Sequence, residues 1–192
     1  MLILIVGLLI FIGIHSARVV APEWRARLTG RRAEGPWKLL YSAASAIGLV
    51  LIVWGFGMAR QDPVVVWSPP VWTRHIAILL NVVAFILLAA YALPAGRIKA
   101  RLGHPMVLAV KVWAVAHLIA NGNLNDILLF GSLLAWAVVD FVASRRRDRR
   151  HGVVRVAGPP RNDAAAIVVG LLAAFVMVAF LHRWLIGVDP LA

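Results

Sequence analysis

The chain has 192 residues, is 62% hydrophobic and carries 20 Lys and Arg against 8 Asp and Glu, a formal net charge of +12. Its mean hydropathy is +0.87, and no soluble domain of this size can bury so much apolar side chain, so lipid must be the solvent. That charge would suggest nucleic acid in a soluble protein, but here it is gathered in short connections between apolar runs, where topology and anionic headgroups explain it better. The lack of cysteine excludes disulfides, thiolate metal ligands and a cysteine nucleophile.

The first apolar run, Leu2 to Val20, begins without a basic leader and is followed by no small-residue cleavage pattern. It reads as an uncleaved transmembrane helix rather than a signal peptide, with His15 near its end and Arg18 placed to snorkel. A loop with Arg25, Arg27, Arg31, Arg32 and Lys38 follows. The second run, Leu39 to Met58, is uncharged and of bilayer length, and Ser42, Ser45 and Gly48 provide small residues for close helix packing. Pro63, Pro69 and Pro70 break helix in the next loop, where Trp67 and Trp72 read as interfacial anchors.

The third run, His75 to Leu93, carries one Asn81 and ends at Pro94 and Gly96. Arg97, Lys99 and Arg101 follow. The fourth run starts at Pro105, a favourable first helical position, and reaches the Asn121-Gly122-Asn123 turn, where Asn-Gly suggests a tight reversal with positive φ. The fifth, Ile127 to Ala143, contains Trp136 and Asp140. The stretch from Ser144 to Asp163 is basic and bears Gly and Pro, so it reads as an exposed loop. The sixth run is Ala164 to Leu181, with His182 and Arg183 at its end.

The predicted fold class is therefore all-α, a polytopic transmembrane bundle of about six spans forming a single domain over 1–192. The loops after spans one, three and five hold most of the basic residues. The other side holds only Arg60, Arg74 and Arg183. This alternation predicts basic loops in the cytoplasm and both termini on the outer side. No repeat of solenoid period is present.

Ionisable groups inside a span are functional suspects by default. His104 falls at the cytoplasmic mouth of span four, and Lys111 about 10 Å deeper on nearly the same face. His117 is roughly 20 Å from His104 along the axis. His15 falls in the cytoplasmic half of span one. Lys111 either pairs with Asp140 of the antiparallel span five or snorkels to the interface. A membrane histidine is a haem or metal ligand, a proton carrier or a hydrogen-bonded packing residue. Two imidazoles facing one cavity favour haem, because they supply both axial positions without cysteine. His75 and His182 read as headgroup-level polarity, and His151 as solvated.

Several segments together resemble one family. They are His15-Ser16, Gly103-His104-Pro105, Lys111-Val112-Trp113-Ala114, Ala116-His117-Leu118, Ala120-Asn121-Gly122, Leu129-Phe130-Gly131 and Ala135-Trp136. This set resembles the NnrU family of bacterial integral membrane proteins, with the likeness densest from Gly103 to Trp136 and covering Met1 to about Arg150. The resemblance implies a multi-pass protein of the bacterial inner membrane associated with denitrification and nitric oxide metabolism. The family is also similar to the plant 15-cis-ζ-carotene isomerase, a membrane enzyme with haem b held by histidines. That similarity implies haem b at His15 and His117, with His104 as a third candidate. The family's Asn-Gly-Asp here reads Asn121-Gly122-Asn123, and the isomerase's substrate residues have no counterpart. Arg101 to Pro105 is faintly similar to an Arg-His-Pro element of isoprenylcysteine-type methyltransferases, but their later paired glutamates are missing.

Three functions compete. One is a haem-b protein with redox, sensing or isomerase-like chemistry. The second is a non-catalytic partner that assembles or stabilises a membrane reductase such as nitric oxide reductase. The third is a transporter using Lys111 and the histidines as a relay, against which stands the lack of an inverted repeat. Phosphate loops, H-E-x-x-H and paired carboxylates are all absent.

Overall fold

The computed structural model describes residues 1–21 and 34–191. The basic residues Arg25, Arg27, Arg31 and Arg32 therefore lie outside the described residues. The helices in chain order are α1 Leu2–Val20, α2 Glu34–Ala59, α3 Trp72–Ala92, α4 Arg97–Leu102, α5 Pro105–Ala120, α6 Leu124–Arg150 and α7 Pro160–Val176. A π-helical turn, Met177–Leu181, and a short α8, His182–Ile186, complete the order. Four stretches are long and apolar enough to cross a bilayer: Gly35–Ala59, Trp72–Ala92, Leu124–Arg150 and Pro160–Ile186. Leu2–Ala17 and Pro105–Ala120 are shorter apolar stretches. Large apolar side chains such as Leu39, Trp54, Leu79, Val139, Phe175 and Trp184 are exposed, as lipid-facing surfaces require.

The chain divides into two compact units, Met1–Trp67 with Gly122–Trp136, and Ser68–Asn121 with Ala137–Ala192. In the first, α1 packs against α2. Gly7 meets the backbone at Leu51 and Ile52, Gly48 meets Phe11, and Gly55 meets Leu4, so the pair is antiparallel. A Cβ at Gly55 would approach the Leu4 nitrogen to 2.3 Å. Lipid tails are as apolar as leucine, so close backbone approach through small residues is what holds such a pair together. Of the three small residues expected to serve this packing, Gly48 does so, while Ser42 is exposed and the buried Ser45 hydroxyl has no partner among the described residues.

The connection after α2 is tied to the start of α6. Val66 and Trp67 both donate their N–H to the Gly122 carbonyl at 2.9 and 3.2 Å, and Leu124 donates to Val64 at 2.8 Å. Gly122 does not take the positive φ expected of an Asn-Gly reversal; among the described residues the positive-φ glycines are Gly103, Gly152 and Gly187. Its requirement is space, since a Cβ there would lie 1.8 Å from the Trp67 carbonyl oxygen. Asn123 caps α6, and Asp126 at the third helical position reaches back to its N–H at 3.3 Å, a carboxylate at the positive end of a helix.

In the second unit α3 packs against α5 and α7. Alanine again predominates at the contacts: Ala84 and Ala109 with Leu87 in one cluster, Ala89, Ala90 and Ala166 in another. Asp163, in the first turn of α7, accepts from the N–H groups of Arg97 and Ile98 at 2.8 and 2.9 Å. It thereby satisfies two donors that the first turn of α4 leaves open. Lys99 donates to the Tyr91 and Leu93 carbonyls at 2.6 and 3.1 Å, closing the end of α3. Gly103, at φ 77°, ends α4 and turns the chain into Pro105.

Several boundaries differ from those read in the sequence: α2 begins at Glu34 rather than Leu39 and so includes Lys38, and Arg97–Leu102 is helix rather than plain loop. Helix continues from Ser144 to Arg150, where a loop was expected, because arginine is a good helix former and cations favour a helix C-terminus. Arg147 donates back to the buried Ser144 hydroxyl at 2.9 Å. The last run begins earlier than expected, at Pro160, and contains the π turn.

Candidate functional site

His15 and His117 occupy the same local setting in separate units. On α1, His15 donates from Nδ1 to the Phe11 carbonyl one turn earlier, at 2.7 Å. On α5, His117 donates from Nδ1 to the Trp113 carbonyl, at 2.8 Å. With the proton held on Nδ1, Nε2 is the basic nitrogen of each ring. This orienting hydrogen bond is the one that iron- and zinc-binding imidazoles use.

An aromatic side chain accompanies each imidazole at the same spacing. Phe11 stacks on His15 with ring centroids 4.2 Å apart, and Trp113 lies beside His117 at 5.0 Å. Around His15 the wall continues with Tyr41 at 5.2 Å and Trp136 edge-on at 5.9 Å. The Trp136 indole N–H is buried without a hydrogen-bond partner among the described residues. A buried, unmet donor is costly, and it marks a place where a bound group with an acceptor would be favoured. Asn121 caps α5 by donating to the His117 carbonyl at 2.9 Å.

His104 is placed differently. Its Nε2 donates to Asp148 at 2.7 Å, and the Arg155 guanidinium holds the same carboxylate oxygen. This hydrogen bond occupies Nε2 and leaves Nδ1 as the ring's other nitrogen. Lys111 and Asp140 form no ion pair with each other: the Lys111 ammonium lies over the Phe141 ring, 4.8 Å from its centroid. A cation over an aromatic face keeps some electrostatic stabilisation without a carboxylate. Asp140 is half-buried. His75 and His151 are exposed, as expected, and His182 donates to the Val188 carbonyl at 2.8 Å.

Among the described residues no group of three or more His, Asp or Glu could hold a metal ion by themselves. The second unit has an open apolar groove of about 430 Å³ along Phe85, Val169, Val176, Met177 and Leu181, which offers no polar group.

The family model for the NnrU protein matches residues 3–190, nearly the whole chain. The chain belongs to the NnrU family. The match extends past the region of densest likeness into α7 and α8, so the last span of this NnrU member is part of the family architecture. No curated protein and no solved structure matches the chain.

Sequence reasoning picked out His15 and His117 but missed their company. The signal was present: an aromatic residue stands four positions before each, in Phe11-Ile12-Gly13-Ile14-His15 and in Trp113-Ala114-Val115-Ala116-His117. Asp148 was also legible as the one acid in a run of arginines. Asn125 was not. It is fully buried beside Asp126, and its Oδ1 has no partner among the described residues.

Proposed function

We propose that this NnrU-family protein binds haem b through its membrane imidazoles, His15 and His117. One observation carries the reading: both rings have the proton held on Nδ1 by the carbonyl of an aromatic residue one turn earlier, so each presents Nε2 as an iron ligand would. The donor set fits the group, since haem needs imidazole nitrogen and no thiolate, and the unmet Trp136 N–H beside His15 is a donor for it. A haem held by two imidazoles would supply electron transfer, and would bind a small gas only on release of one of them. The chain's own residues orient the imidazoles, wall His15 with Phe11, Tyr41 and Trp136, and exclude water.

The family's association with denitrification and nitric oxide metabolism directs that chemistry towards a membrane reductase, in the bacterial inner membrane. We read α1 and α5 as spans as well, giving six, with both termini outside and the basic connections in the cytoplasm. Isomerase-like chemistry is an open extension of the haem reading.

The test is the haem content of detergent-purified full-length protein from haem-replete cells. The proposal expects haem b that co-elutes with the protein and is lost in His117→Ala. A haem-free protein that co-purifies with nitric oxide reductase would overturn it in favour of an assembly partner.

A further inference from the structure

The second unit carries a cluster that the haem reading does not use. It surrounds Gly103, where α4 ends and the chain turns into α5. The nearest atoms to a Cβ built on Gly103 are Nη1 of Arg155 at 3.1 Å and Nη1 of Arg145 at 3.2 Å. Both nitrogens thus lie within 3.2 Å of one point, at most about 6.4 Å from each other. Gly103 has φ 77° and no side chain, so it leaves room for both guanidinium groups.

The charges here are unbalanced. Asp148 already serves Arg155 and His104. Arg145 has no acceptor among the described residues. Arg146, Arg149 and Arg150 share the same helix end. Two guanidinium groups this close repel unless an anion lies between them. Phosphate suits them: its oxygens are roughly 2.5 Å apart and accept guanidinium bonds of about 2.7–2.9 Å, which spans such a gap and uses the planar donor fork. The cluster also sits where the apolar part of α6 gives way to arginine, just past Ala143, which is headgroup depth for a spanning helix.

We propose that Arg145 and Arg155, converging over Gly103, form a binding site for a phosphate-bearing anion. The chemistry is shared by a lipid phosphate headgroup and by free phosphate, and the test separates them. The His104–Asp148–Arg155 ion pair holds one guanidinium in place, while Arg145 supplies the second.

Native mass spectrometry of the detergent-solubilised full chain reads the binding, with three probes: dioleoylphosphatidylglycerol, dioleoylglycerol with the same tails but no phosphate, and inorganic phosphate. Arg145→Gln is the variant of choice because it leaves the Asp148 ion pair intact. Arg146→Gln, at an exposed neighbour, removes the same charge as a control. Binding of the phospholipid but not of dioleoylglycerol is expected, weakened about fivefold or more by Arg145→Gln and less than about twofold by Arg146→Gln. Retention of inorganic phosphate with the same dependence on Arg145 supports the site with free phosphate as its source. Equal weakening by the two variants, no weakening by Arg145→Gln, or equal binding of dioleoylglycerol overturns the proposal.

Discussion

At His15 and His117 the helix backbone itself orients the imidazole. The carbonyl one turn earlier accepts the Nδ1 proton, so no separate carboxylate is needed to orient either ring. The aromatic partner narrows the ring's rotation by stacking at His15 and by tilted contact at His117. His104 is held differently: its Nε2 meets the Asp148 carboxylate, which the Arg155 guanidinium also holds, so side chains from distant parts of the sequence are fastened there. Asp148→Asn removes the charge that holds Arg155 and His104. For a pair this solvent-accessible the expected loss is about 1 kcal/mol or less. The connection between α6 and α7 should accordingly be cut faster by trypsin at Arg155 than in the unsubstituted protein, with helix content by circular dichroism unchanged.

Helix existence was legible in the residues and helix ends were not. Every long apolar run is a helix, because in lipid an apolar segment can satisfy its backbone only by coiling. The ends depend on partners that lie far off in sequence. Asp163 anchors α4 from 66 residues away, and Ser144 with Arg147 carries α6 past its apolar part. The π turn at Met177–Leu181 has no sequence cue that we can name. The packing glycines were half legible: Gly48 stood out beside two serines, but Gly7 and Gly55 gain meaning only once α1 and α2 are paired. Gly55→Val should therefore cost about 1–3 kcal/mol through overpacking, because the new side chain meets Leu4 backbone that cannot yield. Thermal unfolding in detergent checks this, with Gly57→Val as the control, since nothing lies within 4 Å of a Cβ at Gly57.

For the molecule as a whole, the proposed orientation rests on charge distribution and the proposed function on the imidazoles. The described basic clusters, Arg97–Arg101 and Arg145–Arg161, fall at connections that alternate with poorly charged ones, which is why topology could be argued from sequence. The chain has no cysteine, so single cysteines placed at Ala100, Ala157 and Ser68 report orientation cleanly. In intact cells a membrane-impermeant maleimide should label position 68 and leave 100 and 157 unlabelled until the membrane is opened. Labelling of 100 or 157 from outside would contradict the proposed six-span topology.

The family match covers nearly the whole chain, and the proposed haem binding rests on two rings. The most direct measurement is the absorption spectrum of the purified full-length protein, oxidised and dithionite-reduced, alongside His15→Gly and His117→Gly. The account predicts a Soret band that shifts on reduction, is lost in each variant, and returns when free imidazole replaces the missing side chain. A colourless protein from haem-replete cells, or a band indifferent to both substitutions, would contradict it.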